Sequence, residues 1–209
     1  MEGTPQKPSL RVEAGGRRAL VERCTAETNV GLDLVLDGSG DVRVATGIGF
    51  FDHMLTLLGR HGHFDLNLRA EGDLETGAHH TVEDVGICLG LALEAALGDK
   101  AGIRRYGEAH VPMDESLAQV VVDLSGRPYL AWGAELPGVE IGGFTTDLAE
   151  EFFQAVVGNG RLTLHVRLLT GSNPHHMVEA VFKAFARALS AALVVDARQG
   201  GVPSTKGML

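Results

Sequence analysis

Along Val30 to Leu36, Val30, Leu32, Leu34 and Leu36 fall on one parity and alternate with Gly31, Asp33 and Val35. Period two marks a half-buried strand, and Gly16 to Thr46 reads as β structure. Asp37-Gly38-Ser39-Gly40 has turn chemistry and predicts a hairpin, with Val42 and Val44 opening the return strand. From Phe50 to Arg60 the period lengthens. Phe51, Met54, Leu55 and Leu58 fall on one helical face, and Gly59 and Gly62 mark the helix end. Phe64, Leu66 and Leu68 alternate as a further strand. A polar loop from Glu71 to Ala78 leads into an apolar helix from His79 to Leu97, and Gly98-Asp99-Lys100 closes the half.

The second half repeats this order. Tyr106 to Val111, Leu117 to Leu124 and Pro128 to Trp132 are strand candidates, with a turn at Ser125-Gly126-Arg127-Pro128. Leu136 to Gly143 reads as an irregular connection, Leu148 to Val157 as a helix, and Leu162 to Leu168 as a strand. After a loop at Gly171-Ser172-Asn173, Pro174 suits the start of a helix running to Leu193. Shifting the chain by 96 positions lays His79–Leu97 on His175–Leu193 with ten of nineteen residues identical. This is an internal duplication. The expected fold class is α+β: two half-domains, each a mostly antiparallel sheet with two helices on one face, related by a pseudo-twofold through their helix layers. The expected boundaries are a disordered tail over 1–15, half-repeats over 16–102 and 103–200, and a C-terminal tail over 201–209.

The duplicated part carries chemistry. His79-His80-Thr81-Val82-Glu83 and His175-His176-Met177-Val178-Glu179 are the same HHxxE motif at matching helix starts. Residues three and four apart share a helix face, so each Glu lies beside its His pair. Adjacent His side chains diverge by about 100° and serve two ions or two sites rather than one. Imidazole and carboxylate donors without thiolate favour Mn, Fe, Co, Ni or Zn, and suit a six-coordinate Mn-type site. A cation at a helix N-terminus opposes the dipole, which the glutamates must offset. His53 precedes His79 by 26 positions and Glu151 precedes His175 by 24, which makes them equivalent candidates to complete each metal shell. HExxH spacing is absent.

Composition narrows the function. At 209 residues with a formal charge of −9, the chain lacks a general nucleic-acid surface, so binding a phosphate requires a local basic cluster. No run of eighteen apolar residues suggests a membrane span. The N-terminus has no apolar core of a signal peptide. Cys24 and Cys88 make neither a disulfide framework nor a CxxC pair, and the cytoplasm is the default location.

Phe50 to Leu66, Ala78 to Gly90, Pro112 to Leu130, Asn173 to Leu189 and Val202 to Gly207 together resemble imidazoleglycerol-phosphate dehydratase of histidine biosynthesis, in order from Arg18 to Leu209. The resemblance implies dehydration of imidazole-glycerol phosphate to imidazole-acetol phosphate, and a fold like the second domain of ribosomal protein S5. It implies two Mn ions per active site, bound to the substrate's imidazole ring. It also implies a homo-oligomer of 24 subunits with sites at subunit interfaces. It makes His53, His79, His80, Glu83, Glu151, His175, His176 and Glu179 the metal ligands, although many relatives have His at the position of Glu151. It makes Glu27 the acid/base glutamate, with Asp114 a further candidate for proton transfer or orientation. Alone, Glu27 reads as an exposed strand residue. It assigns the phosphate to Arg105, Arg127, Lys183, Ser204 and Lys206, and places His61 near the substrate. The alternatives are another dinuclear enzyme such as a phosphatase, and a non-enzymic protein assembled by its His clusters.

Overall fold

The structure is a computed structural model that describes residues 8–209. Residues 1–7, the start of the expected tail, lie outside the described residues. The rest of that stretch is a strand, β1 (Ser9–Gly15), paired antiparallel with β2 (Arg18–Cys24) through Val12↔Val21. The alternation that predicts strands has its physical cause in the pleat, which sends successive side chains to opposite faces. In β3 (Thr28–Val35), Val30, Leu32 and Leu34 are buried, while Asn29 is exposed and Gly31, Asp33 and Val35 are half-buried. β5 (Asp65–Gly72) buries Leu66, Leu68 and Ala70 on the same face.

The expected hairpin after Val35 is not formed. β4 (Val42–Ala45) does not pair with β3. It lies on the far side of β5, parallel to it, with Val44 opposite Leu68, and the sheet order is β1-β2-β3-β5-β4. Turn residues reverse the chain without choosing the partner strand. Here Asp65 holds the connection in place, its carboxylate accepting from the backbone N–H groups of Ser39 and Asp41 at 2.8 and 2.9 Å. The helix α1 (Gly49–Gly62) then crosses from β4 to β5. Its start is fixed by Asp52, which accepts from the N–H and hydroxyl of Thr46.

The second half repeats the topology. β6 (Tyr106–Met113), β7 (Ser116–Asp123), β11 (Thr163–Thr170) and β8 (Tyr129–Gly133) form a sheet in the order β6-β7-β11-β8, with β8 again parallel to its neighbour. The irregular connection holds a two-stranded ribbon, β9 (Glu140–Ile141) and β10 (Phe144–Thr145), before α3 (Leu148–Gly160). Each half is closed by its long helix, α2 (His79–Leu97) or α4 (Pro174–Leu193), laid on its own sheet.

The two helix layers face each other, α2 against α3 and α1 against α4, which gives a sheet-helix-helix-sheet stack. At the α2–α3 crossing, a Cβ on Gly90 would stand 2.7 Å from the Gly160 nitrogen and the Val156 carbonyl oxygen, so only glycine admits this approach. Phe152 and Phe153 of α3 meet Phe182 and Phe185 of α4 at ring-centroid distances of 5.0 to 5.3 Å. Full burial of each such ring is worth ~1.5–3 kcal/mol.

The Asp65 carboxyl is held below its ordinary value, first by the backbone N–H of Asp41 and then by that of Ser39. A depressed folded pKa contributes stability that is present above the unfolded value of 3.8 and is lost as the pH falls through the folded one. Asp65→Ala is therefore expected to lower Tm at pH 7. The gap to wild type should shrink as both are scanned to pH 3. An unchanged gap across that range would contradict this role.

Candidate metal centre and phosphate cleft

The α1–α4 contact brings together donors that are distant in sequence. His53 from α1 and His175 and Glu179 from α4 place one ligand atom each within 4.8 Å of one another. Both His53 Nε2 and His175 Nε2 lie 3.2 Å from Glu179 Oε2. The other oxygen of Glu179 accepts from Lys183 Nζ, one turn along the helix. Glu179 is buried at 5 % exposure, whereas His53 is open to solvent. Burial pushes the Glu179 carboxyl up, but hydrogen bonds from Lys183, His53 and His175 outweigh it and hold it below the ordinary range. Phe50 packs edge-on against His175 at 4.9 Å and sets its ring plane. The helix start is itself well made: Pro174 opens it, and Asn173 accepts from the His175 N–H at 3.0 Å. The donor set of two imidazoles and a carboxylate suits a divalent ion.

In the other motif, His79 Nε2 lies 3.8 Å from Glu83 Oε2. Glu151, the counterpart of His53, is exposed on α3 and makes no side-chain hydrogen bond or ion pair among the described residues. The paired rings diverge as helix geometry requires. His79 and His80 are inclined by 77° and His175 and His176 by 83°, each with centroids 6.0 Å apart.

The second His of each pair faces its own carboxylates. His80 Nδ1 lies 3.0 and 3.1 Å from the two oxygens of Asp73, and its Nε2 is 3.8 Å from Glu27 Oε1. His176 Nδ1 lies 2.8 Å from Glu115 Oε2, and its Nε2 is 3.9 Å from Asp114 Oδ2. The hydrogen bond to Asp73 raises the His80 pKa, and that to Glu115 raises the His176 pKa. Glu115 sits far below the carboxylate range, held first by His176 and then by the backbone N–H groups of Asn173 and Ser172. Glu27 and Asp114 occupy matching places, at the β2–β3 and β6–β7 turns. Asp114 holds a positive φ of 47°. His61 lies among Lys183, Arg187 and Glu179, and burial, then Lys183, lowers its pKa.

The basic residues gather elsewhere. Arg105, Arg127, Ser204 and Lys206 line one open cleft with Arg104 and Tyr106, and Lys183 is not among its walls. Arg105 is already engaged: its guanidinium forks onto Asp123 at 2.6 and 3.1 Å and also donates to the Pro203 carbonyl at 2.9 Å. That last bond ties the C-terminal tail to the start of β6. Asp73, Glu115 and Asp123 escape sequence reasoning. Glu115 adjoins Asp114 and was within reach of the motif, but Asp73 and Asp123 meet their partners only through the fold.

The chain is a duplicated α+β protein whose helix starts carry paired His and carboxylate donors that could hold a metal ion, with a separate basic cleft. The sequence profile described as imidazoleglycerol-phosphate dehydratase matches residues 46–189. The enzyme of that name from Moorella thermoacetica is 59% identical over 193 residues, covering 92% of this chain and 98% of its own. That from Acetivibrio thermocellus is 58% identical, with 92% and 99% covered. The crystal structure of the Staphylococcus aureus enzyme has a TM-score of 0.74 at 47% identity, covering 80% of this chain and 95% of its own. That from Pyrococcus furiosus has a TM-score of 0.78 at 36% identity, with 90% and 99% covered. The chain belongs to the imidazoleglycerol-phosphate dehydratase family, and is thereby a hydro-lyase of histidine biosynthesis. No described helix is long and apolar enough to cross a membrane.

Glu179→Gln is expected to leave Lys183 without its charged partner and to destabilise the metal-free protein by roughly 1–3 kcal/mol. It should also weaken divalent-cation binding by more than the ~10–100-fold that loss of an outer partner causes. Urea unfolding and a metal titration read the two effects. Unchanged values in both would remove Glu179 from the centre.

Proposed function

We propose that the chain converts imidazole-glycerol phosphate to imidazole-acetol phosphate and water with two Mn ions per active site. The observation that carries this reading is the convergence of His53, His175 and Glu179 at one end of a duplicated motif, whose second copy offers His79 and Glu83. One ion would be held by the first set, and the other by His79 and Glu83 with Glu151. The Nε2 atoms of His80 and His176 add two further donors. When bound, the ions supply Lewis acidity at the ring nitrogens, which makes a carbon-bound proton removable where no carbonyl adjoins it.

The chain's own residues do the rest. One carbon of the glycerol chain gives up a proton, its neighbour gives up hydroxide, and the resulting enol relaxes to the ketone. Glu27, exposed at the turn and 3.8 Å from His80, is suited to take and return the proton. Asp114 has the corresponding place beside His176 and orients the substrate. Arg127, Lys206 and Ser204 bind the phosphate, and Arg105, braced by Asp123, shapes that cleft. His61 and Lys183 bound the ring side of the site.

This reading requires more than one chain. Arg105 precedes β6 and Asp114 follows it. About nine steps of extended chain at ~3.3 Å each separate them by roughly 30 Å, far beyond a ring joined to a three-carbon phosphate. Phosphate cleft and His cluster would therefore meet only between copies, in keeping with a homo-oligomer of 24 subunits. A phosphatase would instead place the phosphate on the metals, which the separate basic cleft disfavours.

Chelator-stripped protein is expected to lose turnover of imidazole-glycerol phosphate and regain it as Mn is added back. Glu27→Gln should lower kcat by ~10²–10⁴ at unchanged Mn stoichiometry. Assembly restored by Mn without turnover would leave the ions structural and overturn the proposal.

A further inference from the structure

The two halves solve one problem twice with different residues. His80 and His176 are equivalent under the 96-residue shift, and each has its Nδ1 occupied by a carboxylate. Those carboxylates are not equivalent. Asp73 comes from the loop that follows β5. Glu115 comes from the β6–β7 turn. The turn that corresponds to the latter carries Glu27, which faces Nε2 instead. A partner reached from unrelated elements points to a requirement of the imidazole rather than of the local backbone.

Both carboxylates are themselves held. Asp73 accepts from the Thr76 hydroxyl at 2.9 Å. Glu115 Oε1 accepts from the N–H groups of Ser172 and Asn173 at 3.1 and 2.8 Å, which leaves Oε2 for His176. The loop that opens α4 is thereby tied to the turn that carries Asp114. At both rings the nearest carboxylate to Nε2 is at 3.8 to 3.9 Å, beyond a hydrogen bond. Each ring thus has one nitrogen fixed and the other free. A carboxylate accepting from Nδ1–H selects the tautomer whose Nε2 lone pair points outward, the form a metal ion binds.

We propose that Asp73 and Glu115 are positioning residues, each fixing the tautomer and ring plane of its histidine so that Nε2 is presented to a divalent ion. This rests on the metal reading of the two HHxxE motifs. It assigns neither residue to the first coordination shell. The Asp73 carboxylate has fewer partners than that of Glu115, and its removal disturbs little besides His80 and Thr76. Glu115 also secures the entry to α4, so its removal loosens that entry as well.

The test is Mn titration of the full chain, read by the EPR signal of free Mn, with Tm of the metal-free protein recorded beside it. Asp73→Ala is expected to weaken Mn binding by ~10–100-fold with little change in metal-free Tm. Asp73→Asn, whose amide oxygen still accepts from Nδ1–H, should recover most of that loss. Glu115→Ala should weaken binding and lower Tm together. Glu115→Gln should recover it only partly, because all of the carboxylate's contacts are with donors and the amide NH2 opposes one of them. Wild-type affinity in Asp73→Ala and Glu115→Gln would overturn the assignment while leaving the metal reading standing. Wild-type protein that binds no Mn would overturn both. An Asp73→Asn variant as weak as Asp73→Ala would show that charge, not the Nδ1 hydrogen bond, matters, and would also overturn it.

Discussion

The packing of α1 on α4 is the contact on which the site depends. Neither half holds the His53, His175 and Glu179 set alone. The set exists because two amphipathic layers must bury their apolar faces, and the nearest apolar layer is the other half's. A sheet with helices on one face has a second helix face to cover. Glycine at position 90 and the edge-on contact of Phe51 with Phe152, at 5.4 Å, let that cover form at close range. Burial of Glu179 follows from the same packing. A carboxylate taken from water there must find cations or donors, and His53, His175 and Lys183 provide them.

Charge is distributed with the same economy. The chain is acidic overall, with a formal charge of −9, yet Arg104, Arg105, Arg127 and Lys206 share one cleft at the far end of β6 from the His clusters. Arg105 is neutralised in part by Asp123 and is better suited to shape the cleft and hold Pro203 than to carry the anion alone. Arg127 pairs more loosely with the same Asp123, at 3.6 Å, and its side chain is 66 % exposed. In the proposed function, separation of the two regions along β6 is what calls for a second copy of the chain at each site.

Much of this was legible in the sequence because period two and period 3.6 are imposed by burial and survive in any one chain. β3, β5, α1 and the duplicated helices are examples, and so is the divergence of each His pair, which follows from helix geometry alone. Strand partnership was not legible. Asp37-Gly38-Ser39-Gly40 announces a reversal, but β5 arrives later in the chain and takes the place beside β3. The pairing of Ser9–Gly15 with β2 was hidden because that strand is exposed along its whole length and carries no buried parity. Asp73 and Asp123 are illegible for a related reason: only the fold brings them to His80 and Arg105.

In the proposed function, the duplication builds two metal positions, one on each copy of the motif. Anomalous diffraction from Mn-loaded crystals tests it most directly. Two peaks are expected for every chain, one against His53 Nε2, His175 Nε2 and Glu179, and one against His79 and Glu83. A single peak, or peaks confined to the cleft of Arg105, Arg127 and Lys206, would contradict it.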